Sequence, residues 1–328
     1  MPTIDFHNHF YPPEYLSALR QGPSNVRITI DDEGNPCLHY PGDYNVAVRG
    51  HRDTAYRTDV LNQTGIDTQV LTLTTPGTHI EDPKRAIELA RIVNDAFAAI
   101  VRNHGTRFRA LATLPLNDPA ASVRELERAM SELHLTGAML FGNVNGTSLA
   151  DERHWPLYEF ASDRRAILHI HPTNPTGVEA MKEYWLMPLV GFPLDTTLAA
   201  AHLVFAGVPR RFPGIRWVLS HLGGAIPYIA ERLDRGFEAF ADCRRHIDRP
   251  PSDYLRGFYY DTVNFDPRAL QLAIDFAGVD HILAGSDYPH LIGSLKKMKA
   301  SIERLNLIAE DQSKILGQNA KALLQLGD

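Results

Sequence analysis

Apolar residues along this chain recur with two alternating periods. Short runs that are continuously apolar, or that alternate with period two, lie at Thr3 to Phe6, Thr68 to Leu73, Phe108 to Thr113, Gly137 to Phe141, Ala166 to His169, Ile215 to Leu219, Phe258 to Asp261 and His281 to Ala284. Each predicts a strand. Between most of them the period lengthens to that of an amphipathic helix. Lys84 to Asn103 gathers Ile87, Ala90, Ile92, Val93 and Phe97, and Ala120 to Leu133 does the same with Val123, Leu126 and Met130. Trp155 to Ser162, Leu198 to Val208, Ile226 to Phe240, Pro267 to Phe276 and Glu310 to Leu326 add further helices, and Asp266-Pro267 reads as an N-cap followed by a first-turn proline.

Strands alternating with helices through short connections imply βαβ winding, and eight strands suffice to close a barrel. The expected fold class is therefore α/β, a TIM-like (β/α)8 barrel formed by one domain over residues 1–328. A doubly wound open sheet is the alternative that the pattern leaves standing. One interval breaks the rhythm. From Phe10 to Thr54 only Pro13 to Arg20 suggests a helix, whereas Val26 to Ile30 and Cys37 to Tyr40, separated by Asp31-Asp32-Glu33-Gly34, predict a small hairpin inserted near residues 22–50. The stretch Tyr184 to Thr197 is expected to be a lid or an interface segment.

Composition narrows the partners. The 328 residues can bury a sizeable core without staples, and 2 cysteines, Cys37 and Cys243, exclude both a disulfide scaffold and a cysteine-rich zinc module. With 33 basic against 39 acidic residues, a formal charge of −6 offers no broad attraction to nucleic acid or anionic lipid. No run approaches the roughly 18 apolar residues of a membrane span, and MPTIDFHNHF lacks a basic start and an apolar run. The expectation is a cytoplasmic protein with no nucleic-acid or membrane partner. GxGxxG, GxxxxGK[ST] and HExxH are all absent.

The 15 histidines carry the chemistry worth pursuing. His7-Asn8-His9 follows the first strand, and in an extended segment residues i and i+2 face the same way, so both imidazoles can reach one divalent ion. His171, His221 and Asp287 follow three other strands. In a barrel all of these converge at the C-terminal mouth, where catalytic loops gather. His169 competes with His171; the strand-end position and Pro172 favour His171, leaving His169 in the barrel wall or behind the ligands.

The pieces DFHNHF, LHIHP, YWLMPLVGFPLDTT, FPGIRWVLSHLGGAIPYIAERLDRGF and GSDYPH occur in order along nearly the whole chain. In them the chain resembles the amidohydrolase superfamily, and more closely its aminocarboxymuconate-semialdehyde decarboxylase family, which also holds aromatic acid decarboxylases and a few hydratases. The resemblance implies an amidohydrolase-type barrel, usually assembled as a homodimer. It implies a catalytic divalent metal, zinc first and manganese second, ligated by His7, His9, His171 and Asp287, with His221 as the acid/base beside it. Relatives with two metals bridge them through a carboxylated lysine on the fourth strand; Gly137 to Phe141 contains no lysine, so one metal is expected.

The function so implied is that of a metal-dependent carboxy-lyase releasing CO2 non-oxidatively from an aromatic or conjugated carboxylic acid. His221, coupled to Asp287 and assisted by metal-bound water, would move the proton. A hydratase adding water to a double bond, or a lactone hydrolase, is the alternative on the same site. An inert metal-stabilised binding protein is disfavoured, because five inward polar groups would impose desolvation for no return. For the carboxylate of a small-molecule substrate, YNVAVRGHRD resembles the region supplying an arginine, with Arg49 as counterpart and Arg52 as rival. Arg235 is a weaker stand-in for an arginine that relatives recruit from a neighbouring subunit. His290, where relatives often carry an aromatic residue, is expected to meet a phenolic hydroxyl or second carboxylate. Phe10, Tyr184, Trp185 and Tyr288 are expected to form an aromatic wall, with a subunit interface as the other reading for Trp185.

Overall fold

A computed structural model of the chain describes residues 2–327. Eight parallel staves succeed one another in chain order: β1 (Ile4–His9), β2 (Thr68–Thr72), β3 (Phe108–Ala110, resumed at Ala112–Thr113), β4 (Gly137–Phe141), β5 (Ile167–His171), β6 (Arg216–Leu219), β7 (Tyr259–Asp261) and β8 (Ile282–Leu283). Ladders join β1 to β2 and β2 to β3, then β3 through to β8. The ring closes because Phe6 N–H donates to Ala284 O at 2.8 Å, while Ser286 and Asp287 N–H both donate to His7 O, at 3.0 and 2.8 Å. The closed α/β barrel is thus the architecture, and the open-sheet alternative is excluded.

Its floor is an apolar layer drawn from six staves, Ile4, Phe6, Val70, Leu111, Ile167, Val218 and Leu283, sealed by Ala320 and Leu323 of the last helix and by Leu324 just after it. Above that floor the inward positions turn polar. The register between β1 and β2 slips between Asp5 and Asn8, a bulge that changes which parity faces inward. Phe6 therefore packs in the floor while His7 and His9 both reach the mouth.

Helices ring the barrel where periodicity places them. Pro83–Asn103 buries Ala86, Leu89, Ala90, Val93 and Phe97, and Pro119–Ser131 buries Leu126 and Ala129. Asp118 accepts from Ala121 N–H and Asp266 from Arg268 N–H, side-chain caps worth about 1 kcal/mol each. The insertion is larger than a hairpin: Arg27–Ile30, Pro36–Tyr40 and Asp43–Val46 form a three-stranded antiparallel sheet. Its third strand, polar and half-buried, has no apolar pattern to announce it.

The stretch expected as a lid or interface is mostly helix. Met187–Gly191 is a wide turn leading directly into Phe192–Phe205. Among the described residues, Met187–Phe205 is the one helical run long and apolar enough to cross a bilayer by length and composition. Asp195, Thr196, Ala199, Ala200, Leu203 and Val204 on it are buried, whereas Leu189, Val190, Leu194 and Leu198 are exposed.

Candidate metal centre

Each of three imidazoles is aimed by an oxygen acceptor behind it. Asp261 Oδ2 lies 2.5 Å from His7 Nδ1, and Pro172 O lies 2.8 Å from His171 Nδ1. Thr72 Oγ1 gives its proton to Asn8 O, so the oxygen 3.1 Å from His9 Nδ1 is free to accept. All three rings are thereby fixed with the proton on Nδ1 and a bare lone pair on Nε2. Those lone pairs converge: His7 Nε2 and His9 Nε2 are 3.1 Å apart, and Asp287 Oδ1 lies 3.1 Å from His9 Nε2 and 3.6 Å from His7 Nε2. One donor atom from each of His7, His9, His171 and Asp287 falls within 4.8 Å of all the others. Four electron-pair donors held this close, with no proton between the nitrogens, fit a single divalent cation. The donor set of three imidazoles and one carboxylate suits a borderline ion.

His7, His169 and Asp261 also lie within such a radius, but His7 Nδ1 is already spent on Asp261, and His169 Nε2 pairs with Ser220 Oγ at 2.9 Å. His169 belongs to the tier beneath the cluster. His171 is the last residue of β5 rather than a loop residue beyond it, since the strand runs two positions further than its apolar pattern.

Electrostatics follow the burial. Burial pushes His9 and His171 well below the ordinary imidazole range, and neighbouring histidines push further. Burial acts likewise on His7, but the charge and hydrogen bond of Asp261 overcome it and leave His7 raised. Burial alone would raise Asp261 and Asp287; the adjacent histidines instead hold both carboxyls below their usual range.

His221 sits beside this cluster, its ring 5.1 Å from that of His7 and 5.5 Å from that of His171. Its backbone has φ 54°, a left-handed conformation unusual for a non-glycine residue, and is held there because Asp261 accepts from both His221 N–H and Leu222 N–H at 3.1 Å. Burial and then His7 push His221 down to about 4, and its Nδ1 is buried without a partner. The Phe192 ring, 6.1 Å from His171 and 6.3 Å from His221, supplies an apolar wall.

Asp261, Arg57 and His51 are the residues that sequence reasoning passed over. Asp261, last in β7, satisfied the same strand-end rule as the others. Arg57 is fully buried and donates to Gly50 O at 2.9 Å, Asn8 Oδ1 at 2.7 Å, Gln69 Oε1 at 3.0 Å and also His9 O. Its spacing of four from buried Leu61 was the available signal. His51 was hidden between two arginines.

Those arginines are engaged elsewhere. Arg49 is exposed and paired with Asp53 at 2.9 Å, while Arg52 bonds Ala47 O at 3.0 Å and Asn35 Oδ1 at 3.2 Å. Arg235 is exposed and paired with Glu238. The aromatic wall is also differently built. Tyr184 is 81% and Trp185 55% exposed, and Trp185 packs 5.7 Å from Tyr44 of the inserted sheet, because the turn before Met187 carries them outward. Phe10 and Tyr288 instead lie against the Arg57 guanidinium at 5.3 and 4.9 Å. His290 does reach the cluster, 4.9 Å from His9 between ring centres.

Comparison with known proteins places this geometry. Residues 4–326 match the family model described as Amidohydrolase. The chain is 33% identical over 277 residues to the 2-amino-3-carboxymuconate-6-semialdehyde decarboxylase of Dictyostelium discoideum, covering 84% of this chain and 77% of that one. The crystal structure of 5-carboxyvanillate decarboxylase LigW from Sphingomonas paucimobilis superposes with a TM-score of 0.87 at 25% identity, covering 99% of each chain. That of a dihydroxybenzoic acid decarboxylase from Polaromonas sp. JS666, with bound manganese and the inhibitor 2-nitroresorcinol, gives 0.83 at 27% identity, covering 99% of this chain and 97% of that one.

Proposed function

The chain belongs to the amidohydrolase family, and from that premise we propose that it is a metal-dependent, non-oxidative decarboxylase of an aromatic or conjugated carboxylic acid. The observation that carries the reading is the convergence of His7, His9, His171 and Asp287 at the barrel mouth with His221 against their edge. A divalent ion held by those four side chains would supply Lewis acidity and orient the substrate's oxygens.

The chain's own residues account for the rest. His221 stands with its ring beside those of His7 and His171, where its imidazole can relay a proton from solvent to the carbon that bears the carboxylate. Protonation there interrupts conjugation; the C–C bond then breaks, its electron pair restores the conjugated system, and CO2 leaves. One solvent proton is consumed for each CO2 released. Asp261 positions both partners at once, orienting His7 through Nδ1 and His221 through its backbone. Phe192 keeps the reacting face apolar, which favours the neutral product over the carboxylate.

The three-imidazole set supports zinc as the resident ion, with manganese as its competitor, and elemental analysis of the protein as isolated decides between them. The exposed apolar row Leu189, Val190, Leu194 and Leu198 supports a homodimer, which sedimentation would report as twice the chain mass.

The reaction is tested by incubating the metal-loaded protein with hydroxybenzoates and conjugated dicarboxylates in deuterated water. We expect CO2 and a product carrying one solvent deuteron at the former carboxylate carbon. His221→Asn should lower the rate by about 10²- to 10⁴-fold while metal content is kept. A product that gains water with all its carbon retained would make the enzyme a hydratase or hydrolase instead.

A further inference from the structure

The turn Arg49–Arg52 packs against the segments that follow β1 and β8 and is fastened from three sides. Tyr11 N–H donates to His51 O at 2.7 Å, and Arg57 Nε donates to Gly50 O at 2.9 Å. Gly50 approaches the Asp287–His290 loop so closely that a Cβ there would lie 2.5 Å from the Tyr288 hydroxyl. Fixed in this way, the turn spends its two arginines on Asp53, Ala47 O and Asn35 and buries the histidine between them, 1% exposed.

The His51 ring stands 5.0 Å from that of His290, which in turn stands 4.9 Å from that of His9. Neither nitrogen of His51 has a hydrogen-bond partner. An imidazole always carries at least one N–H, and a buried donor left unmet is costly, so the ring calls for a polar partner that the surrounding side chains do not supply. We infer that His51, together with His290, recognises a hydroxyl group on the substrate ring other than the reacting carboxylate. This inference rests on the decarboxylase reading above and specifies its substrate.

A hydroxyl fits the chemistry of the pair. Each imidazole presents one donor and one acceptor, and His290 Nε2 is already 3.4 Å from the Thr74 hydroxyl, a group of the same dual character. A hydroxyl can donate to one ring and accept from the other. A second carboxylate can only accept, and would leave the acceptor nitrogen of each neutral ring unmet. A site built to bond a substrate hydroxyl discriminates strongly against the analogue that lacks it, because the buried polar groups are then left unpaired.

The test compares kcat/KM for 2-hydroxybenzoate with the 2,3-, 2,4-, 2,5- and 2,6-dihydroxybenzoates, using the metal-loaded protein. The wild type should favour one dihydroxy isomer by about tenfold or more. In His51→Leu that ratio should collapse towards unity, and His51→Gln, which keeps a donor and an acceptor, should restore part of it. In parallel, the affinities for 2-nitroresorcinol and 2-nitrophenol are measured without turnover. A hydroxyl preference that His51→Leu leaves intact, or no preference in the wild type, overturns the inference even if CO2 is released. A His51-dependent binding preference with no CO2 from any acid upholds recognition and instead sinks the reaction.

Discussion

At the scale of single residues, the site is a set of imidazoles whose protons are assigned by what stands behind them. Asp261 is the most consequential of these supports, because it accepts hydrogen bonds from His7 Nδ1–H and from two backbone N–H groups at His221 and Leu222. Asp261→Asn keeps the shape but removes the charge that makes His7 a good donor. Metal affinity, measured by chelator competition, should fall by about 10- to 100-fold; an unchanged affinity would show that His7 is oriented by something else. His7, His9, His171, His221 and Asp287 were all legible in the sequence, because strand parity and strand-end position suffice to bring them together. His51 and Arg57 were not, since their burial comes from contacts with β1 and the Asp287–His290 loop, far away in sequence. The arginines flanking His51 looked like chemistry by residue type, yet Arg49 and Arg52 bond Asp53, Ala47 and Asn35.

At the scale of elements, the strands were legible from their apolar cores but not at their functional ends. β1 and β5 each run on into histidines that no apolar pattern includes, and the bulge in β1 that reconciles Phe6 with His7 leaves no trace in composition. Behind β4 and β5, Asp195 of helix Phe192–Phe205 ties two loops, accepting from Thr173 N–H and Asn143 Nδ2 at 3.0 Å each. Burial raises this carboxyl from 3.8 to about 6, against the pull of those two bonds. A folded-state value above the unfolded one means that the folded protein binds the proton more tightly. The stabilising contribution is therefore complete below about pH 4 and is lost as pH rises through 6. A rise of that size corresponds to about 3 kcal/mol. Asp195→Asn cannot titrate, so its unfolding free energy relative to wild type should improve by up to that amount between pH 4 and pH 7 in urea titrations. A difference that does not vary with pH would mean that Asp195 ionises as readily in the folded chain as in the unfolded one.

At the scale of the whole molecule, eight staves and their crossover helices bring to one mouth residues that lie as far apart as His7 and Asp287. Gly285 serves this assembly directly: a Cβ there would come within 2.9 Å of His7 Cβ and 3.0 Å of Asp261 Cβ, so the loop after β8 closes the ring only without a side chain. On the proposed reaction, one divalent ion bound by the four converging donors is required for CO2 release. The most direct test of that requirement is to strip the protein of metal, add zinc or manganese in steps, and follow CO2 from the preferred acid. Activity should start near zero, rise in proportion to added metal and level off at about one equivalent per chain. CO2 release that persists undiminished in the stripped protein, or a break at two equivalents, would rule out a single required ion.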